Sequence, residues 1–423
     1  MKKFIVKGKK PLSGSFQVAG NKNAALPALA VSLMTDQTVT LRNIPDILDV
    51  RVSLEILQSL GAEVDYHDHV VTINSAKVDR DQVPDELAAR LRASILYLAP
   101  LLHRQGRVKL RHPGGCVIGK RPVGTHFRAL EELGYQVSVK QDHYLVEHNS
   151  PVTDCEVFMD EVSVTATENL LMIAAGRPAV TRIVGAACEP HVVDVAHMLQ
   201  QMGAKIDGIG SNVLTVSGTE DLSGVDFRIG PDIIEAGSVI ILAAVSQSEL
   251  VIDQIKADEL RVIQHYLQAF GVRLEYLSDS QVKVLPAALH APVGLKEIQS
   301  RFWPGLPSDL MSILIVLATQ AQGNTLFHEW MYNSRLFFTD KLTRMGANII
   351  MCDPHRVLVS GPTALRGKVL PSPDIRAGVA MLVAALIAEG ESVIEHAEMI
   401  LRGHERVDER FGQLGADITL IDG

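Results

Sequence analysis

The chain has little cysteine, and what it has is scattered. Cys116, Cys155, Cys188 and Cys352 lie far apart with no CxxC pairing. That argues against a zinc site or a disulfide framework and fits a reducing compartment, the cytoplasm. Nor is there an excess of base: a net charge of −9 argues against nucleic acid as the main partner, since phosphate binding favours a basic face. Long apolar runs are missing too. The longest charge-free one, Ala377 to Ala388, falls short of the roughly 20 residues that a bilayer span needs. The opening Met1 to Gly8 carries lysines but no signal-peptide core, and reads as a first strand.

What is present, 47% hydrophobic and 21% charged residues, describes a globular protein. At 423 residues it suits two domains rather than one core. The strongest pattern is a repeat. An apolar residue, two variable ones, an apolar residue and a glycine precede a short strand six times, ending at Gly61, Gly134, Gly203, Gly271, Gly346 and Gly415. The spacings of 73, 69, 68, 75 and 69 residues divide the whole chain into six units. Each glycine is expected to stop a helix in the left-handed region.

Upstream of each glycine runs a β-rich segment, and before that a second helix that is apolar nearly all round: Asn23 to Met34, Arg92 to Leu102, Glu168 to Ala175, Glu235 to Val245, Asp309 to Ala321, Arg376 to Ala388. Such helices belong in an interior. The expected fold is therefore α/β, with buried helices and outer sheets. Three units fall on either side of a boundary near residues 225–232.

Several of these buried helices begin with residues foreign to a core. The first opens Gly20-Asn21-Lys22-Asn23, where free amides, the positive dipole end and the Lys22 charge together make a plausible anion site. Arg92, Asp309 and Arg376 open others, and the loops after the strands carry Arg121, Arg335 and Arg402. Facing lobes would line a cleft with cations and one or two carboxylates, suited to a multiply charged anion. The stretch His112 to Pro122 places Gly114 and Gly115 before Cys116, then Gly119-Lys120-Arg121 after it. It reads either as a mobile loop that carries a thiol to a cationic pocket or as a surface turn with an incidental cysteine.

These same segments resemble a known family. Gly20 to Pro27, Leu91-Arg92-Ala93-Ser94, Pro113 to Pro122, Pro307-Ser308-Asp309 and Arg402 to Arg406 are similar to the enolpyruvyl transferases, over essentially the full length. The resemblance implies a two-lobed inside-out α/β barrel of six strand-helix units, with residues 1–21 and 230–423 in one domain and 22–229 in the other. It also implies transfer of the enolpyruvyl group of phosphoenolpyruvate to the 3-hydroxyl of UDP-N-acetylglucosamine, with loss of phosphate. Cys116 would be the acid, Asp309 the base, Lys22, Arg121 and Arg402 the phosphate cations, and Arg376 the carboxylate partner. Asn23, Arg92 and Arg335 would line the site. The nucleotide sugar would meet Arg121, Pro122, Val123, Gly124, Thr125, Glu161, Val162, Ser163, Val164, Asp309 and Met331. No metal or organic cofactor is implied, no membrane insertion, and a monomer or weak homo-oligomer.

The chain departs from the family pattern at Gly124, Thr165, Ile233, Asn333-Ser334, Leu401 and His404. Two further readings therefore stay open: enolpyruvyl transfer to another acceptor, and a paralogue that binds an anionic metabolite without turning it over.

Overall fold

The computed structural model describes residues 2–114, 118–119, 121–148 and 150–422. All six signature glycines are left-handed, with φ between 83° at Gly271 and 118° at Gly203. There a side chain would be strained, which is why the repeat keeps glycine.

The six apolar helices are Lys22–Val31, Leu98–Gln105, Val164–Ala175, Ile233–Val245, Met311–Gln320 and Ile375–Ile387. Every residue of Ile233–Val245 is buried, as is every residue of Lys22–Val31 except Asn23. Two starts are tighter than an α-helix: Arg92–Tyr97 and Ser308–Leu310 are 3₁₀ segments of six and three residues leading into the second and fifth. Side chains stop the other four from fraying. Asn21 accepts from Asn23 N, Ser163 from Ala166 N, Asp232 from Ile234 N and Glu235 N, and Asp374 from Arg376 N and Ala377 N. The caps fix the rotation at which Lys22, Val164 and Arg376 leave their helices.

Sheets enclose the helices by one local rule. Cys155–Phe158 runs parallel to Val180–Val184 across the helix Val164–Ala175, Ile298–Gln299 to Gly323–His328 across Met311–Gln320, and Val369–Pro371 to Glu391–Glu395 across Ile375–Ile387. A second, glycine-ended helix then leads into an antiparallel hairpin, such as Glu63–His67 with Val70–Asn74. Among the described residues five sheets have four strands and one has three, the latter extended by a bridge from Gln82 to Lys109.

Two slots are filled from far away. Gly14–Gln17 pairs in parallel with Leu250–Asp253, and Asp226–Arg228 with Val39–Arg42. The first strand, Lys2–Lys7, lies antiparallel between Glu391–Glu395 and Asp417–Asp422, tying the beginning of the chain into the sixth repeat.

Contacts divide the described residues into two compact units, one of residues 2–19, 118–119, 121 and 231–422, the other of 20–114, 122–148 and 150–230. Each has its own apolar core. No described helix is long and apolar enough to cross a membrane.

Candidate active site

In the first unit the 3₁₀ turn that opens the fifth buried helix presents Asp309, and the N-terminus of the sixth presents Arg376. Asp309 Oδ2 lies 2.8 Å from Arg376 Nη2 and accepts from its Nε at 3.0 Å, while Oδ1 accepts from Arg335 Nη2 at 3.2 Å. The two arginine side chains are 8% and 3% exposed, the carboxylate 30%. One carboxylate thus faces two buried cations. Burial works against the Arg376 charge, but Asp309, with Asp232 and Asp374, more than restores it and raises its pKa. Arg335 Nε, Arg335 Nη1 and Arg376 Nη1 are buried without a hydrogen-bond partner. Buried donors left unmade are costly, so the arrangement is set up for an incoming anion with several oxygens.

The Arg335 guanidinium lies over the Tyr332 ring at 5.0 Å, and Arg121 lies 5.8 Å from the same ring centroid. Ser334 N donates to Ile118 O, and the backbone of Asn333 lies against left-handed Gly119. The altered pair Asn333-Ser334 therefore meets the cysteine loop through its backbone. Met331 is half-buried beside them, and Arg402 is half-buried at the end of the helix Ala397–Leu401. Cys116 lies outside the described residues.

The second unit holds Lys22, buried, with its Nζ 2.8 Å from Asp49 Oδ2. Gly20 permits this start: a Cβ there would fall 1.7 Å from Asn43 O. Asn23 is half-buried in the first turn. Arg92 opens its 3₁₀ turn near His126, whose pKa is pushed down to about 3 by burial and then by the Arg92 charge. His126 is therefore a neutral imidazole. Its Nε2 meets Thr165 Oγ1 at 3.0 Å, and its Nδ1 is buried without a partner. The departure Thr165 thus supplies a hydroxyl to a buried ring.

Pro122 and Val123 lead into the helix Gly124–Glu132, with Val123 and Thr125 buried. At Gly124 a Cβ would stand 3.1 Å from Arg128 Nη1, and Arg128 is paired with Asp160 at 2.6 Å. Arg128 occupies the space next to this missing side chain. Glu161 is exposed, and Val162, Ser163 and Val164 are half-buried around the cap of the third buried helix.

Several residues at or beneath these sites are not among the candidates named from the sequence. Glu329, wholly buried, and Glu235, which pairs with Arg410, stand on ordinary strand and helix ends. Asp49 lies in the first turn of the surface helix Leu48–Leu60. Glu168 sits one turn into Val164–Ala175 and is wholly buried, with Oε1 unpartnered. Burial first, and then the charge of Glu189, hold its carboxyl pKa far above the usual range.

A carboxyl that folds neutral but ionises when unfolded costs stability above its unfolded pKa, and that cost grows as pH rises towards the folded one. Glu168→Gln is therefore expected to stabilise the second unit by about 1–3 kcal/mol at pH 8 and to have little effect at pH 4. Urea melts followed by circular dichroism at both values check this. A loss of stability at pH 8 would show that the group is ionised in the fold.

Comparison with known proteins gives a consistent result. The family model described as EPSP synthase (3-phosphoshikimate 1-carboxyvinyltransferase) matches residues 6–411. A UDP-N-acetylglucosamine 1-carboxyvinyltransferase of Treponema denticola is 43% identical over 425 residues, covering 99% of both chains. One from Bradyrhizobium diazoefficiens is 44% identical over 433 residues, covering 99% of this chain and 98% of its own. Among solved structures, the enolpyruvyl transferase NikO of Streptomyces tendae superposes with a TM-score of 0.89 at 23% identity, over 100% of this chain and 99% of that one. An EPSP synthase of Acinetobacter baumannii gives 0.76 at 16%, over 100% of each. At those identities the structures speak for the fold, the two-domain inside-out barrel.

Proposed function

The chain belongs to the EPSP synthase family of carboxyvinyltransferases, and we propose on that premise how its residues carry the reaction. It is an enzyme that transfers the enolpyruvyl group of phosphoenolpyruvate to the 3-hydroxyl of UDP-N-acetylglucosamine and releases phosphate, the first committed step of peptidoglycan synthesis. The observation that supports the residue roles best is the Asp309 carboxylate held between two buried arginines with three unpartnered nitrogens.

Phosphoenolpyruvate brings a carboxylate and a phosphate. Arg376 and Arg335 take the carboxylate with the donors that are unmade here, and Lys22, Arg121 and Arg402 take the phosphate. As guanidinium N–H groups turn to the incoming anion, the oxygens of Asp309 become available to the sugar hydroxyl proton. The hydroxyl oxygen adds to C2 of phosphoenolpyruvate while Cys116 gives a proton to C3, forming a tetrahedral intermediate. Return of a proton from C3 to the Cys116 thiolate and cleavage of the bond between C2 and the phosphate oxygen then expel phosphate and form the enol ether of the sugar. Preorganised cations stabilise the charge on the departing phosphate.

Arg121 to Thr125 and Glu161 to Val164, with Asp309 and Met331, hold the nucleotide sugar. Asn23 and Arg92 line the substrate site, and the neutral His126 is a structural residue of the second unit. The three described cysteines are all free thiols, which supports a cytoplasmic setting.

Phosphate release tests the reaction. Purified protein with phosphoenolpyruvate is expected to release phosphate only when UDP-N-acetylglucosamine is added. Release with another acceptor and none with this sugar would assign a different substrate, and none with any acceptor would leave a binding protein.

A further inference from the structure

We propose that Glu329 is a positioning residue that sets Asp309 and Arg335 in mutual register for the transfer, an inference that rests on the enolpyruvyl-transfer reading. Glu329 follows the strand Gly323–His328 and is 0% exposed. Its four side-chain partners are neutral donors from three segments. Oε1 accepts from Ser300 Oγ at 3.0 Å, Met331 N at 2.9 Å and Tyr332 N at 3.3 Å, and Oε2 accepts from Ser308 Oγ at 2.6 Å. Its own carbonyl meets His355 Nδ1 at 2.6 Å.

A carboxylate paired with neutral donors in a dry interior is an expensive way to fill space. What it gains here is position. Ser308 is the residue before Asp309 in the same single turn, so the Oε2 bond holds the base from below. Tyr332 carries its ring beneath the Arg335 guanidinium, so the Oε1 bonds hold the cation from the other side. The 3.2 Å contact between Arg335 and Asp309 is thus bracketed at both ends by one side chain. Ser300 completes the bracket, since its carbonyl accepts from Trp330 Nε1 at 2.7 Å and its N–H donates to His328 O. Misplacement of a reacting group by about 1 Å costs roughly 10²-fold in rate.

Two substitutions separate the ends of the bracket. Ser308→Ala cuts only the link to Asp309, whereas Glu329→Gln disturbs both links. Ser308→Ala is expected to lower kcat about 10-fold or more with the affinity for phosphoenolpyruvate, by calorimetry, nearly unchanged. Glu329→Gln is expected to lower kcat further, about 10- to 100-fold, and to weaken phosphoenolpyruvate binding several-fold. In an Asp309→Asn background Ser308→Ala should not reduce kcat again, because residues acting through one group are not additive, whereas Glu329→Gln should still weaken phosphoenolpyruvate binding through its link to Arg335. Wild-type kcat and affinity in both variants, or a full additional loss of kcat from Ser308→Ala in that background, overturn the proposal. Wild-type protein that turns over no phosphoenolpyruvate overturns the transfer reading instead. The calorimetric comparison still decides the role of Glu329, since equal affinity in wild type and Glu329→Gln removes it. If Glu329→Gln does not fold, Ser308→Ala alone decides between the outcomes.

Discussion

Asp309→Asn is expected to lower kcat by about 10²- to 10⁴-fold, the usual contribution of a positioned general base. The amide keeps the shape of the carboxylate but cannot take the hydroxyl proton. It also takes from Arg335 and Arg376, 3% and 8% exposed, the negative charge that both of them pair with. Removing one partner from a buried pair is more damaging than the pair is stabilising, so the first unit should melt earlier. The partial exposure of Asp309 moderates this. An added anion should take the place of the lost charge, so inorganic phosphate is expected to raise the melting temperature of Asp309→Asn more than that of wild type. Steady-state kinetics and thermal melts with and without phosphate check both parts. A variant that keeps a third or more of wild-type kcat would remove Asp309 from the role of base.

The largest stability effect is expected at Glu235. Its carboxylate sits at the start of the fourth buried helix and takes Arg410 in a two-point pair, at 2.6 and 3.0 Å, together with Ala19 N at 2.7 Å. Arg410 in turn donates to Gln17 O at 2.6 Å and lies 4.3 Å over the Phe16 ring. His404, where the family pattern has another residue, adds its Nδ1 at 3.7 Å. Burial opposes ionisation of Glu235, but the Arg410 charge and the hydrogen bonds of His404 and Arg410 outweigh it and hold the pKa well below the usual range.

A depressed folded pKa contributes stability that is fully present above the unfolded value, about 4.3, and is lost as pH falls below it. Glu235→Gln is therefore expected to cost the first unit about 3–5 kcal/mol at pH 7 and progressively less below pH 4. The two tryptophans, Trp303 and Trp330, both lie in that unit, so urea melts followed by their fluorescence report on it alone. A difference of less than about 1 kcal/mol at pH 7, or one independent of pH, would show that the cluster is not a buried ion pair in solution. Glu168→Gln in the other unit should show the opposite sign, because there burial goes uncompensated.

Most of the architecture was legible because it is written locally. A left-handed glycine after a helix, an apolar face that runs all the way round, and a β-branched segment between them each depend on neighbours within a few residues. The six glycines and six buried helices therefore fall where the repeat puts them. The exchange of strands was not legible. Nothing in Asp226-Phe227-Arg228 says that its parallel partner is Thr40-Leu41-Arg42.

The site divides in the same way. Charged residues at the head of apolar helices marked Lys22, Arg92, Asp309 and Arg376 as out of place in a core. The partners they take were hidden, because a buried charge is answered by whichever side chain the fold brings within about 3 Å. Arg376 and Asp309 stand 67 residues apart, and Arg410 and Glu235 stand 175 apart. Glu329 was invisible for a related reason: a glutamate after a strand looks like a solvated surface residue until its four donors are in place.

By itself the sequence determined the repeated helix and strand plan, the family resemblance and the set of candidate charges, all of which follow from local stereochemistry and short motifs. Only the tertiary structure decided which charges meet, which carboxyl is held neutral and which ionised, and which buried acid holds the base in place. Those outcomes depend on burial and on distances between segments remote in the chain, and these exist only once the chain has folded.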